Sequence, residues 1–385
     1  MTAQVLRIVE KHRGHPGMIA NIADFTVSPG ETIDPNLILT HPNISPYCLN
    51  DAEKTAIFVE LPDGTDLSTA PFVYQMQYDR AQRLIEVSYE TFRQLADTLP
   101  KVEHPILIYS SGRGGSTLMS HIFNALDNVI SLSEPDAAFQ FISLRHTDGS
   151  RDAELGELLD WTIRMLFKPT AIQSQASKMP MTYALKFRNE ATQLMDLYQA
   201  TFPGAKNLYV YRDGIGFVSS FYRLLKRAAL PDFAPISEFI TMFEQTTGSD
   251  RSQLMTYLDP GIEQISIPQQ AALMWLTVIE LYLAQHAKGI PVLAVRYADL
   301  NRSREQVISA ILDYCGLPKE QLQETLHVFE RDAQEGTMLA RENPAEGNKL
   351  RLTEEEHAQV TRILARHPVI KESDYIVAGT LKVQK

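Results

Sequence analysis

Eight consecutive residues, Ser110-Ser111-Gly112-Arg113-Gly114-Gly115-Ser116-Thr117, combine the groups that hold an oxyanion. Glycines let a backbone turn tightly and bring several N–H groups onto one anion. Arg113 adds a permanent charge whose planar fork matches phosphate or sulfate. Ser116 and Thr117 offer hydroxyls where a helix would begin, and a helix N-terminus favours negative charge. A glycine-rich turn that binds nothing is the competing reading, and the arginine inside the loop weighs against it. The order is not that of a Walker A loop, which needs Gly-Lys-Ser/Thr, because Gly115 directly precedes Ser116. A nucleoside triphosphatase would lack its main γ-phosphate contact, and no aspartate stands out as the support for Mg²⁺.

A second cluster follows in Phe202-Pro203-Gly204-Ala205-Lys206, then Leu208-Tyr209-Val210-Tyr211-Arg212-Asp213, with Ser220 further on. An arginine ending a strand and a serine at the start of the next helix can converge on one phosphate. Taken alone, Arg-Asp after a strand is equally an ordinary surface ion pair. Two anion sites in one chain suit a ligand with phosphate at both ends. No His, Cys and Asp cluster has metal-ligand spacing, so no metal is expected.

These residues need a frame that presents them. From residue 101 onward short apolar runs alternate with helical patterns. Strands are expected at 106–109, 129–132, 183–187, 208–211 and 292–295. Helical faces are marked by Leu118, Ile122, Phe123 and Leu126, then by Leu155, Leu158, Leu159, Ile163 and Leu166, and by Leu194, Leu197 and Tyr198. The helix before the last strand carries Leu273, Trp275, Leu276, Ile279 and Leu283, and Trp161 and Trp275 read as core. The pattern predicts an α/β fold with a central parallel sheet covered by helices on both faces. Ligands of such sheets bind beyond the carboxyl ends of the strands. Residues 1–100 differ. They are turn-rich, and the alternation of Phe72, Tyr74, Met76 and Tyr78 predicts a strand, followed by a helix on Tyr89, Phe92, Leu95, Ala96 and Leu99. The expected organisation is an N-terminal extension over 1–100 and a main domain over 101–385. Segment 228–268, with Pro231, Pro235, Gly248 and Pro260 around a helix containing Phe239, Ile240 and Phe243, suits a cover over the site or a surface insertion.

The loop at 110–118, the Phe-Pro-Gly-Ala-Lys to Arg-Asp segment at 202–213 with Ser220, and Arg296-Tyr297-Ala298-Asp299-Leu300 together resemble the sulfotransferases that use 3′-phosphoadenosine 5′-phosphosulfate (PAPS). The resemblance covers roughly residues 105–320. It is nearest to the branch with an Arg-Ser-Gly-Ser/Thr-Thr-Leu loop, which includes tyrosylprotein and many bacterial enzymes. The resemblance implies a three-layer P-loop-like fold and PAPS as co-substrate. It implies that Arg113, Gly114, Gly115, Ser116 and Thr117 cradle the 5′-phosphosulfate, while Arg212 and Ser220 hold the 3′-phosphate. Lys186 falls where that branch has a catalytic lysine near the leaving group, and Glu134 where it has its catalytic glutamate. Three departures stand out: Gly114 for the usual Ser, Gly214 for the usual Pro after Arg-Asp, and Phe187-Arg188 after Lys186 in place of a proline turn. His121 and His146 are rival bases, Glu134 could instead pair with Arg145, and Arg188 is a rival to Lys186. Lys349 and Arg351 could close over the nucleotide.

Composition limits the partners. With 36 basic and 47 acidic residues the net charge is −11, which argues against nucleic acid or a long polyanion and for a small-molecule acceptor. The 44% apolar and 22% charged content is that of a globular chain. Cys48 and Cys315 cannot build a disulfide framework, and no apolar run is long enough for a membrane span, so a cytoplasmic enzyme is expected. The alternatives are a degenerate P-loop kinase or hydrolase, which would need Mg²⁺ and ATP, and a non-catalytic nucleotide-binding protein of the same fold.

Overall fold

The computed structural model describes residues 2–14, 18–168, 181–228, 231–247, 252–333 and 350–383. Five early strands, β1 (Ala3–Lys11), β2 (Phe25–Ile33), β3 (Ile44–Asn50), β4 (Thr55–Glu60) and β5 (Arg83–Ser88), form a sheet in the order β2-β1-β5-β4-β3. Their pairing is antiparallel throughout. Alternate side chains point inward, and Tyr47, Ile57, Val59 and Leu84 are fully buried there. Each large apolar side chain so buried contributes about 1.5–3 kcal/mol.

The later strands are β6 (Ile106–Ser110), β7 (Val129–Ser133), β8 (Thr182–Lys186), β9 (Lys206–Tyr211) and β12 (Val292–Arg296), a five-stranded sheet in the order β12-β9-β6-β8-β7. β7 runs parallel to β8, and β9 to β12. Helices separate the strands, so the α/β fold with a central parallel sheet is as the strand and helix pattern predicts. A short antiparallel pair, β10 (Phe233–Pro235) with β11 (Gln264–Ser266), lies in the 228–268 segment.

The helices that matter below are α1 (Val73–Arg80), α2 (Tyr89–Ala96), α3 (Ser116–Asn124), α4 (Asp152–Leu166), α5 (Met195–Thr201), α6 (Gly214–Arg227), α7 (Ile236–Thr247), α8 (Ile267–Ala287) and α9 (Glu354–Arg366). Helix α1 overturns the strand expected over 72–78. Its aromatic residues alternate, yet the buried residues are Val73 and Gln77, four apart, which is a helical face. Gln77 Nε2 donates to Ser45 Oγ at 2.8 Å and to Pro46 O at 2.9 Å, which fixes that face. Trp275 is fully buried on α8, while Trp161 is half-buried, edge-on to Phe92.

By contacts the chain forms two compact units: residues 1–107, 123–187 and 196–205, and residues 108–122, 188–195 and 206–385. In the second unit α7 buries Phe239, Ile240 and Phe243 while Phe233, Met242 and Met255 are exposed. Gly248 lies outside the described residues. Among the described residues no helix is long and apolar enough to cross a membrane.

Candidate functional site

In the second unit the chain leaves β6 at Ser110 and enters α3 at Ser116 through the glycine loop. Gly115 has φ +89°, and a Cβ there would lie 2.9 Å from the Tyr297 ring, so both backbone and space demand glycine. A Cβ on Gly114 would lie 3.0 Å from Val210 O and 3.2 Å from the Tyr211 backbone. The loop thus runs against β9, which explains why a glycine stands where the resembling family has serine. Among the described residues only Lys54, Arg113 and Glu134 carry a side chain at positive φ. Arg113, at +52°, pays this strain inside a loop otherwise built for anions.

Arg113 Nε donates to Ser220 Oγ at 2.9 Å, so the first anion loop reaches the serine of the second. Arg212 follows β9 and is pinned through its backbone: its N–H donates to Ser111 Oγ at 3.2 Å, and its carbonyl accepts from Trp275 Nε1 at 2.9 Å. Its guanidinium lies 4.9 Å over the Tyr297 ring, while its Nε is buried with no hydrogen-bond partner. Tyr297 therefore touches both phosphate candidates, backing Gly115 on one side and Arg212 on the other.

Charge is concentrated here. Burial first, then the nearby guanidinium groups of Arg212, Arg223 and Arg227, push the Arg113 pKa down to about 10. Burial likewise lowers that of Arg212, against the raising pull of Tyr297 and Asp213, with Arg223 adding to the fall. With its pKa near 10, the Arg113 guanidinium stays charged at neutral pH. Four mutually repelling arginines are stabilised by any multivalent anion that enters among them.

Helix α6 carries Ser220, Arg223 and Arg227 at positions three and seven apart, one face of a helix. Its N-terminal amides are occupied. Gly216 N–H donates to Asp213 Oδ1 at 2.7 Å, Gly214 N–H to Ser373 O at 2.7 Å, and Ile215 N–H to Ser373 Oγ at 2.7 Å. An anion at Arg212 and Ser220 must therefore be gripped by side chains rather than by the helix end. The buried orphan on Arg212, the glycine cradle and the arginine cluster fit a ligand with phosphate at two ends.

In the first unit, β7 and β8 pair with Ser133 opposite Lys186, and Glu134 is the next residue out of β7. Glu134 has φ +54°, its N–H donates to Lys186 O at 2.6 Å, and its carbonyl accepts from Tyr74 N–H at 3.3 Å. Its carboxylate forms an ion pair with Lys186 Nζ, and both side chains are nearly buried. Lys186 Nζ also lies 5.4 Å over the Phe72 ring. A buried carboxylate and ammonium paired in this way offset part of each other's cost of leaving water. The pair can accept a proton at one end and neutralise a negative charge at the other.

Glu134 does not pair with Arg145, which binds Asp152 and Asp196. His146 is exposed beside Ser150, and the His121 ring lies 3.1 Å from Ala333 O. Arg188 lies beyond the end of β8 and begins a 3₁₀ turn. Lys349 falls outside the described residues. Ser116 and Thr117 open α3, both buried. Sequence reading missed Arg223 and Arg227, which look like the solvent face of an amphipathic helix. It also gave no role to Tyr297 or Ser373, and the contacts of both span long sequence distances.

A family model described as the sulfotransferase family matches residues 105–321. No curated protein matches the chain. Among solved structures, the chain is similar to the sulfotransferase domain from the curacin biosynthetic pathway, at 15% identity and TM-score 0.41, covering 69% of this chain and 98% of that one. It is also similar to a sulfotransferase from Mycobacterium avium, at 14% identity and TM-score 0.37, covering 71% and 77%. A mouse sulfotransferase complexed with PAP matches at 11% identity and TM-score 0.36, covering 72% and 87%.

Proposed function

The chain belongs to the sulfotransferase family, and from that premise we propose that it moves a sulfuryl group from PAPS to the hydroxyl or amine of a small-molecule acceptor. The observation that carries the donor assignment is the arginine cluster, with Arg113 bonded to Ser220 and the buried Arg212 Nε unmatched. In this reading Arg113, Gly114, Gly115, Ser116 and Thr117 bind the 5′-phosphosulfate, and Arg212 and Ser220 bind the 3′-phosphate. PAPS supplies the activated sulfuryl group.

The residues of this chain have little covalent work to do, because sulfuryl transfer, like phosphoryl transfer, is governed by alignment and charge neutralisation. Glu134 takes the proton from the acceptor as its oxygen or nitrogen bonds to sulfur. Lys186 and Arg113 offset the charge left on the departing phosphate. The ion pair with Lys186 holds the Glu134 carboxylate in place, and a general base must be positioned before it can act. A small acceptor accords with a chain of net charge −11, which would repel a long polyanion.

The test is calorimetric titration with the desulfated product, 3′-phosphoadenosine 5′-phosphate (PAP), without added metal. Wild type should bind, and Arg212→Ala should bind about 10- to 100-fold more weakly, the value of one or two charge-assisted hydrogen bonds. No binding of PAP by the wild type, with binding of ATP and Mg²⁺ instead, would sink the proposal and favour a degenerate P-loop kinase or hydrolase.

A further inference from the structure

Arg13 lies far outside the family match at 105–321, yet it is fastened to both sides of Glu134. Its side chain is only 4% exposed. Nη2 lies 3.1 Å from Asp136 Oδ2, and Nε lies 3.9 Å from Asp24 Oδ2. Asp136 is fully buried and also accepts Ala20 N–H at 2.8 Å. Asp24 accepts the Tyr47 hydroxyl at 2.5 Å and Asn21 N–H at 3.0 Å. Isolated buried charges are costly, so each of these groups depends on the others for its place.

The same guanidinium lies 5.1 Å over the Tyr74 ring and 5.9 Å over Tyr78, and Arg13 N–H donates to the Tyr78 hydroxyl at 2.9 Å. Two chains of contact lead from it to Glu134. One runs through Asp136, two residues downstream. The other runs through Tyr74, whose peptide N–H bonds the Glu134 carbonyl at 3.3 Å. On that same side Ser133 Oγ donates to Pro71 O at 2.6 Å. Glu134 has φ +54°, a conformation that a residue with a side chain keeps only when its surroundings over-determine it.

We propose that Arg13 is a positioning residue that holds Glu134 in its left-handed backbone conformation and so aims its carboxylate at the acceptor proton. The inference rests on the sulfotransferase reading above and gives the N-terminal region a part in the chemistry.

The experiment uses the full chain and PAPS with water alone as acceptor, followed by release of labelled sulfate. Water oxygen bonds to sulfur as the S–O bond to phosphate breaks, the bonding pair leaves on PAP, and Glu134 takes the proton. Three variants are compared with wild type: Arg13→Lys, the double variant Arg13→Met with Asp136→Asn, and Glu134→Gln. The double variant removes Arg13 and Asp136 together, so that the Asp136 carboxylate is not left unpaired, while Asp24 keeps its bonds from the Tyr47 hydroxyl and Asn21 N–H. It should keep its melting transition and bind PAP as wild type does, while sulfate release at saturating PAPS slows about 10- to 100-fold, the cost of misplacing one reacting group. Arg13→Lys, which keeps the charge, should restore most of the rate. Wild-type rates in the double variant, or a loss matched by an equal loss of PAP affinity, overturn the proposal. If Glu134→Gln is as fast as wild type, the Arg13 proposal falls while PAP binding by the wild type still supports the donor reading. If wild type neither binds PAP nor releases sulfate, both fall.

Discussion

At the scale of single residues, the proposed roles divide into groups that grip and groups that react. Glu134→Gln removes the proposed proton acceptor but keeps the shape, and Lys186→Met removes the ammonium paired with it. Each should lower the rate of sulfuryl transfer about 100- to 10,000-fold for the base and about 10- to 100-fold for the cation, with PAP affinity nearly unchanged. Equal losses of rate and affinity would make the pair structural. Gly115→Ala tests the cradle instead. Its Cβ would strike the Tyr297 ring at 2.9 Å in a backbone at φ +89°, so PAP binding should be lost and stability should fall by about 1–3 kcal/mol in thermal unfolding. The glycine loop and Arg212 are legible in the sequence because their chemistry is local. The Glu134–Lys186 pair is visible only by resemblance, since it depends on Ser133 lying opposite Lys186 across two strands.

At the scale of elements, the parallel strands announce themselves as short apolar runs, whereas α1 does not. Phe72, Tyr74, Met76 and Tyr78 fit a two-residue period, but Tyr74 and Tyr78 are also four apart and present one helical face to Arg13. The ambiguity is intrinsic to a short aromatic run. A different element-level consequence sits just past α4. Lys168 is fully buried, donates to His41 O at 2.7 Å, and burial pushes its pKa down to about 7. The folded value lies below the unfolded 10.5, so the unfolded chain binds more protons and stability rises with pH between about 7 and 10.5. Below that window the full cost of burying the charge is present. Lys168→Met should therefore raise the melting temperature most at pH 6, with the gain shrinking as pH climbs toward 10. Losing the bond to His41 costs about 1 kcal/mol, less than the several kcal/mol of burying the ammonium. A pH-independent difference between variant and wild type would refute the assignment.

At the scale of the whole molecule, a net charge of −11 opposes the approach of an anion that the arginine cluster attracts. Screening decides which governs. At about 10 mM salt the Debye length is about 30 Å, and at about 100 mM it is about 10 Å. If the local cluster steers the ligand, PAP association measured by stopped flow should slow as salt rises. If it quickens, the overall charge dominates. Composition alone points to the second result, because a sum over residues cannot show that Arg113, Arg212, Arg223 and Arg227 share one unit. The order of synthesis adds a consequence of the Ser373 bonds to α6. Ser373 is translated 159 residues after Gly214 (373 − 214), which at about 5–20 residues per second is a delay of about 10–30 s. Through that interval the nascent chain holds α3, β9 and α6 without the serine that closes the helix start. A ribosome that stops after residue 227 but before residue 373 releases a product that carries every proposed phosphate-binding residue named above and still lacks the last clasp on the helix that bears Ser220.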